Sequence, residues 1–249
     1  MEHATDAAAG GNEVPPAAAR LFGEERLPLA LRYAELLTTD GVVRGLIGPR
    51  EAPRIWDRHL LNSVLMAPAL PQGGTVADVG SGAGLPGLVL AIARPDVAMT
   101  LIEPLLRRTT FLEEVVTELG LDNVEVARGK AEMFHGKHSF DLVTARAVSA
   151  LERLVPWCMP LVAAGGSLTV MKGSSAEDEI ETAGVVLAAW GCAAPVLVEL
   201  DDPDAGGVRL VRVTWAGAPR VSLAPSAGSG GGRSREGSRR RENRRRGRS

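Results

Sequence analysis

Two cysteines in 249 residues, Cys158 and Cys192, are too few for a disulfide framework or a cysteine-rich metal site. Their scarcity points to a reducing compartment, and cytoplasm is the expected location. No apolar run approaches the roughly 18–20 residues of a membrane span. The first residues lack the basic patch and apolar stretch of a secretory leader. No cluster of His, Cys, Asp and Glu has metal-ligand spacing, so no metal is expected. Aromatic residues make up only 4%. The single tyrosine, Tyr33, has Leu37 four residues on, which removes the Tyr-x-x-x-Lys pair of short-chain dehydrogenases. Three lysines stand against 25 arginines throughout the chain, a bias that reads as codon composition.

What is present suits one α/β domain with appendages, since 45% of the residues are hydrophobic. The net charge of −2 conceals an asymmetry. Nine arginines and two glutamates give Ser226–Ser249 a charge of +7, which leaves −9 on the rest. A basic tail on an acidic body suggests an anionic partner.

Residues 1–16 lack periodic apolar positions and are expected to be disordered. Residues 17–70 read as a helical extension, with Leu27, Leu31, Ala34 and Leu37 at helical spacing. Its last helix spans about Arg54–Ala67 and carries Trp56, His59, Leu60 and Ser63. A β/α alternation fills 71–217. Strands are expected at Thr75–Val79, Met99–Glu103, Val124–Ala127, Phe140–Thr144 and Ser167–Lys172, with a helix over Leu151–Val162 stopped by Gly165-Gly166. Ala194–Leu200 and Val208–Trp215 read as a closing antiparallel hairpin. Five βα units in series predict a mostly parallel, doubly wound Rossmann-like sheet. Residues 218–249 are Gly/Ser/Arg low complexity, expected to be a disordered basic tail.

The first strand runs into Gly80-Ser81-Gly82-Ala83-Gly84-Leu85-Pro86-Gly87. Gly80, Gly82 and Gly84 give G-x-G-x-G. Gly82, Gly84 and Gly87 give the dinucleotide fingerprint G-x-G-x-x-G, with Glu103 at about the expected distance. Spacing alone leaves S-adenosylmethionine (SAM) and NAD open. Charge separates them: Asp78 before the glycines would repel a pyrophosphate but favour the cationic amino group and sulfonium of SAM. Glu103 can accept from ribose hydroxyls in either case.

Val76–Gly87 (VADVGSGAGLPG), Leu105–Val126, Ala131-Glu132, Phe140–Val148 (FDLVTARAV), the run from Trp157-Cys158 to Lys172-Gly173, and Trp56–Ser63 (WDRHLLNS) together resemble the RsmG (GidB) family of bacterial ribosomal RNA methyltransferases. The resemblance spans about Leu29–Trp215. It implies a class I SAM-dependent methyltransferase with an N-terminal helical extension, acting on N7 of a guanine in 16S rRNA. It places cofactor contacts at Gly80, Leu85, Ala131, Glu132 and Arg146. Asn62 stands where many members have aspartate, Glu103-Pro104 replaces Asp-Ser, and Arg107 replaces lysine. The arginine tail lies outside the resemblance.

Guanine N7 carries a lone pair and no proton, so its methylation needs orientation rather than a general base. The lack of an obvious catalytic dyad agrees with that. Neither cysteine follows a proline as cytosine C5 chemistry requires, and Thr144-Ala145-Arg146-Ala147 replaces the Asn/Asp-Pro-Pro-aromatic run of amine methyltransferases. Arg146 is a candidate for orienting the substrate through guanine O6 or a phosphate. His59 is the second candidate. Arg58, Arg107, Arg108, Arg128 and Lys172 are candidates for the RNA path. The expected partner is 16S rRNA or the small ribosomal subunit, with no membrane and no obligate protein partner. Two rival readings remain: a small-molecule methyltransferase, expected to carry an apolar lid, and a non-catalytic RNA-binding protein acting through the tail.

Overall fold

The computed structural model describes residues 14–220. Most of the expected N-terminal disorder and nearly all of the arginine tail lie outside that span.

Seven strands form one sheet: β1 (Thr75–Val79), β2 (Ala98–Glu103), β3 (Val124–Arg128), β4 (Phe140–Thr144), β5 (Val162–Lys172), β6 (Val196–Asp202) and β7 (Gly206–Val213). Their order is β3-β2-β1-β4-β5-β7-β6. The first five run parallel, and β7 pairs antiparallel with both β5 and β6. The doubly wound sheet and its closing hairpin are therefore as expected. The order reverses between β1 and β4, which opens a crevice at the carboxyl ends of those strands.

Helices cover both faces. On one face lie α5 (Gly87–Ala93) and α6 (Leu106–Leu119) together with the N-terminal extension, whose helices are α1 (Pro16–Phe22), α2 (Leu27–Thr38), α3 (Asp40–Val43) and α4 (Asn62–Val64). Tyr33, Leu37, Leu60 and Met66 of the extension share one apolar cluster with Leu88, Leu101, Phe111 and Leu210. The extension thus packs into the sheet's own core. Ion pairs Arg32–Glu118, Arg44–Glu114 and Arg20–Asp202 fasten its outer edge. On the other face, α7 (Leu151–Cys158) and α8 (Ala176–Trp190) bury Leu154, Cys158, Ala183 and Leu187 against β4 and β5.

Two local expectations change. The helix expected from Arg54 to Ala67 is a π-helix over Ile55–Leu61 followed by the single turn of α4. Ile55, Trp56, Leu60 and Leu61 are buried there, while Arg58 stays exposed. The Gly165-Gly166 pair does not stop a helix either. After α7 the chain makes one 3₁₀ turn, and β5 starts at Val162 and runs through both glycines. A Cβ on Gly166 would sit 2.6 Å from the Asp141 carbonyl oxygen, so close strand approach demands glycine there. The β4–β5 register shifts at that point, as at a bulge.

Candidate active site

The glycine loop leaves the end of β1 and enters α5. Gly80, Gly82 and Gly84 all have positive φ, a conformation that L side chains resist. Gly87 has a different constraint: a Cβ there would meet Leu101 Cδ2 at 2.4 Å and Asp78 Oδ2 at 2.7 Å. This last glycine of the fingerprint is required by helix-to-strand packing.

The loop forms one wall of a cavity of about 760 Å³, a size suited to a nucleoside-like ligand. Gly80, Gly82, Leu85, Glu103, Ala131, Glu132, Arg146 and His59 all line it, so eight expected site residues from five separate segments converge; Arg108, expected on the RNA path, lines this cavity instead. Glu103 ends β2 almost fully buried. Its carboxylate accepts from the Gly82 and Leu105 amides at 3.0 Å each and pairs with Arg108 Nη1 at 3.3 Å. Ser81, Lys130, Val148 and Trp157 also line it; three of them lie inside the quoted motifs, but nothing in the sequence marks any of the four as a site residue.

Two of the expected cofactor contacts are placed elsewhere. Asp78 does not line the cavity. It is fully buried behind the loop, where its Oδ2 accepts from the Gly87 amide at 3.0 Å. Its Oδ1 finds no partner, and burial pushes its pKa up to about 7. Its place in the chain resembled a cofactor contact, but the side chain points under the turn. Gly84 is also absent from the lining; its missing Cβ makes room for Leu88 and the Tyr33 hydroxyl. Lys172, expected on the RNA path, does line the open groove described below, but its side chain is only 8% exposed and its ammonium donates to Glu179 Oε2 at 2.7 Å and the Ser149 carbonyl at 2.9 Å.

The opposite wall follows β4. Arg146 is largely buried and reaches across the crevice to the extension. Its Nη1 donates to Ser63 Oγ at 3.0 Å and the His59 carbonyl at 3.3 Å, and its Nη2 meets His59 Nδ1. Ala147, next in the chain, is the one non-glycine residue with positive φ among the described residues, at 54°. Such backbone concentrates at functional sites. The extension supports the loop as well: buried Tyr33 on α2 donates to the Ala83 carbonyl at 2.7 Å. Nothing in the sequence around Tyr33 marks this role.

Beyond Arg146 lies an open groove of about 1280 Å³ between the π-helix and the β6–β7 hairpin. Groove and cavity share His59, Arg146, Ala147 and Val148. Apart from Arg146, the groove's arginines and its lysine are matched within the protein. Arg58 pairs with Glu51, Lys172 with Glu179, and Arg209 with Glu177 and Glu199. Arg107 and Arg128 are exposed but line neither space. Among the described residues there is no group of three His, Cys, Asp or Glu able to hold a metal, and no helix is long and apolar enough to cross a membrane.

A sequence model of the family described as rRNA small subunit methyltransferase G, or GidB, matches residues 26–197. The chain belongs to the GidB family. It is 58% identical over 238 residues to the ribosomal RNA small subunit methyltransferase G of a Nocardioides species, covering 94% of this chain and 95% of that protein. It is 53% identical to the protein of that name from Kineococcus radiotolerans, covering 86% and 85%. Among solved structures, Pyrococcus horikoshii TYW2 in complex with MeSAdo superposes with a TM-score of 0.51 at 15% identity, over 64% of this chain and 63% of that one. At that identity the likeness concerns the fold alone. The GidB match includes both the π-helix and the crevice, so the contact between the extension and Arg146 lies inside the family region.

Proposed function

We propose that this GidB chain is a cytoplasmic SAM-dependent methyltransferase that acts on N7 of a guanine in 16S rRNA. The observation that carries the reading is the junction of two spaces, a nucleoside-sized cavity and a wide groove, at His59 and Arg146. A methyl donor in the first and an RNA base entering from the second would meet there.

The cavity's residues fit SAM. A buried carboxylate at Glu103 keeps acceptor capacity for ribose hydroxyls beyond the three donors it already holds. The glycine turn lets backbone approach the ligand closely, and Leu85, Ala131 and Trp157 give the space apolar walls. When bound, SAM supplies an electrophilic methyl group. The chain's own task is to orient the base. Guanine N7 needs no deprotonation, so a fixed guanidinium suffices to hold O6 or a flanking phosphate, and rate comes from alignment. Arg146 suits that role: its carbonyl, hydroxyl and imidazole partners fix its plane, and its Nε–H and one Nη2–H have no protein partner among the described residues.

A small-molecule methyltransferase fits less well, because the groove is wide, open and lined by charged side chains rather than an apolar lid. The test is to map N7-methylguanine in 16S rRNA from cells with and without the gene and restore it with purified enzyme. Calorimetry on the enzyme should show S-adenosylhomocysteine binding and no NAD binding. An unchanged modification pattern, or tight NAD binding, overturns the reading.

A further inference from the structure

We propose that Glu51 is a positioning residue for methyl transfer, acting through His59 to hold Arg146 where cavity and groove meet; this rests on the function proposed above. Glu51 stands in the turn before the π-helix, with no sequence signal to mark it. Its Oε2 accepts from His59 Nε2 at 3.1 Å, and its Oε1 accepts from Arg58 Nη1 at 3.2 Å. The other ring nitrogen, Nδ1, faces Arg146 Nη2.

A guanidinium has no acceptor, so the contact requires a lone pair on Nδ1. The single ring proton therefore sits on Nε2, where Glu51 accepts it. Carboxylate, imidazole and guanidinium form one line, and the last member borders both the cavity and the groove. Without the carboxylate the ring is anchored on one side only, and Arg146 loses a fixed partner.

The charged groups facing His59 are Glu51 from the preceding turn, Arg58 on the same helix and Arg146 beyond β4. Tyr33 on α2 and Asp78 on β1 act on Arg146 in turn. Burial first, and Arg146 second, hold His59 below the usual histidine range, so the ring is neutral near pH 7. Acid places a second proton on Nδ1, directly against the guanidinium. That removes the acceptor and sets like charges together, so activity falls on the acid side. Glu51 stabilises the protonated ring. Glu51→Gln therefore moves the acid limb to lower pH while slowing transfer at neutral pH.

The experiment uses the full chain and small subunits from cells lacking the gene. Single-turnover methylation is followed across pH for wild type, Glu51→Gln and Glu51→Asp, with calorimetry of S-adenosylhomocysteine and an NMR titration of His59. Glu51→Gln should slow transfer about tenfold at neutral pH, shift the acid limb and the His59 titration downward together, and leave S-adenosylhomocysteine affinity within about threefold. Glu51→Asp should recover part of the rate. A slower Glu51→Gln enzyme with an unmoved acid limb and unmoved His59 titration overturns the proposal. So does an unchanged rate. Failure of the wild type to methylate overturns the functional reading instead, and the His59 titration still decides whether the carboxylate acts on the ring.

Discussion

The cavity and the groove share a border at Arg146 but are built in opposite ways. The cavity is made of backbone: a glycine turn, amides pointed at Glu103, and a loop propped from behind by Tyr33. Its shape follows from packing that leaves no room for a Cβ at Gly87. The groove is made of long side chains whose charges, Arg146 apart, are satisfied by one another. On the proposed reading, cofactor recognition is thus rigid. RNA recognition in the groove would then depend on ion pairs that phosphates must compete for, and the exposed ones, such as Arg58–Glu51, each hold little free energy.

The largest expected effect comes from breaking the rigid half. Gly87→Val forces a side chain into Leu101 and Asp78, and a loss of about 3 kcal/mol or more in stability is expected, read by thermal unfolding. Gly82 is the contrasting position. The structure leaves its Cβ direction open, with the nearest atom, the Gly80 carbonyl oxygen, 3.8 Å away, so within the protein only the strain at φ +61° remains. Gly82→Ala should therefore cost about 1 kcal/mol and still fold. If both variants unfold alike, the distinction between packing and strain is wrong.

Next comes the border itself. Arg146→Ala should lower single-turnover methyl transfer about 100-fold, because orientation is the chain's main contribution to rate. A rate within threefold of wild type would remove Arg146 from the mechanism.

A smaller effect is a change of pH dependence. Asp78 is raised from 3.8 to about 7 by burial, so the folded protein holds its proton more tightly than the unfolded chain does. Its stabilising contribution is full below pH 3.8 and is lost as pH rises through about 7. Asp78→Asn keeps an acceptor for the Gly87 amide and removes the titration, so it should flatten the stability profile and melt higher than wild type at pH 8. Parallel profiles for the two proteins would contradict the buried, uncompensated carboxylate.

The smallest effect concerns the tail, whose nine arginines lie outside the described residues. Because the groove's cations other than Arg146 are already paired, added positive charge should raise affinity for any RNA without selecting a base. Truncation after Pro225 should weaken RNA binding mainly at low salt, make the salt dependence shallower and leave the methylated position unchanged. A different methylated guanine would overturn that division of labour.

What could be read from the sequence follows the same border. Strands β1 and β4 and the glycine turn are local patterns, and a short window contains the steric reason for each. The direction of a side chain at a strand end is not local, which is why Asp78 was assigned to the cavity although it points beneath the loop. The support from Tyr33 spans 50 residues of sequence, and that from Ser63 to Arg146 spans 83. No periodicity announces such contacts. The π-helix has no composition signature either, since Trp56, Leu60 and Leu61 suit an ordinary helix equally well.

The position of β7 sets a timetable. It lies between β5 and β6, yet it is the last strand among the described residues, so the sheet is finished from the inside. Until Gly206–Val213 emerges from synthesis, β5 ends in open hydrogen-bonding groups and β6 has no neighbour at all. The extension waits as well, because Leu210 belongs to its apolar cluster. A chain interrupted before residue 206 would expose a long apolar edge of the kind that invites pairing with other chains. Completion of this protein is therefore decided in its last quarter, well after every residue of the cofactor cavity has been made.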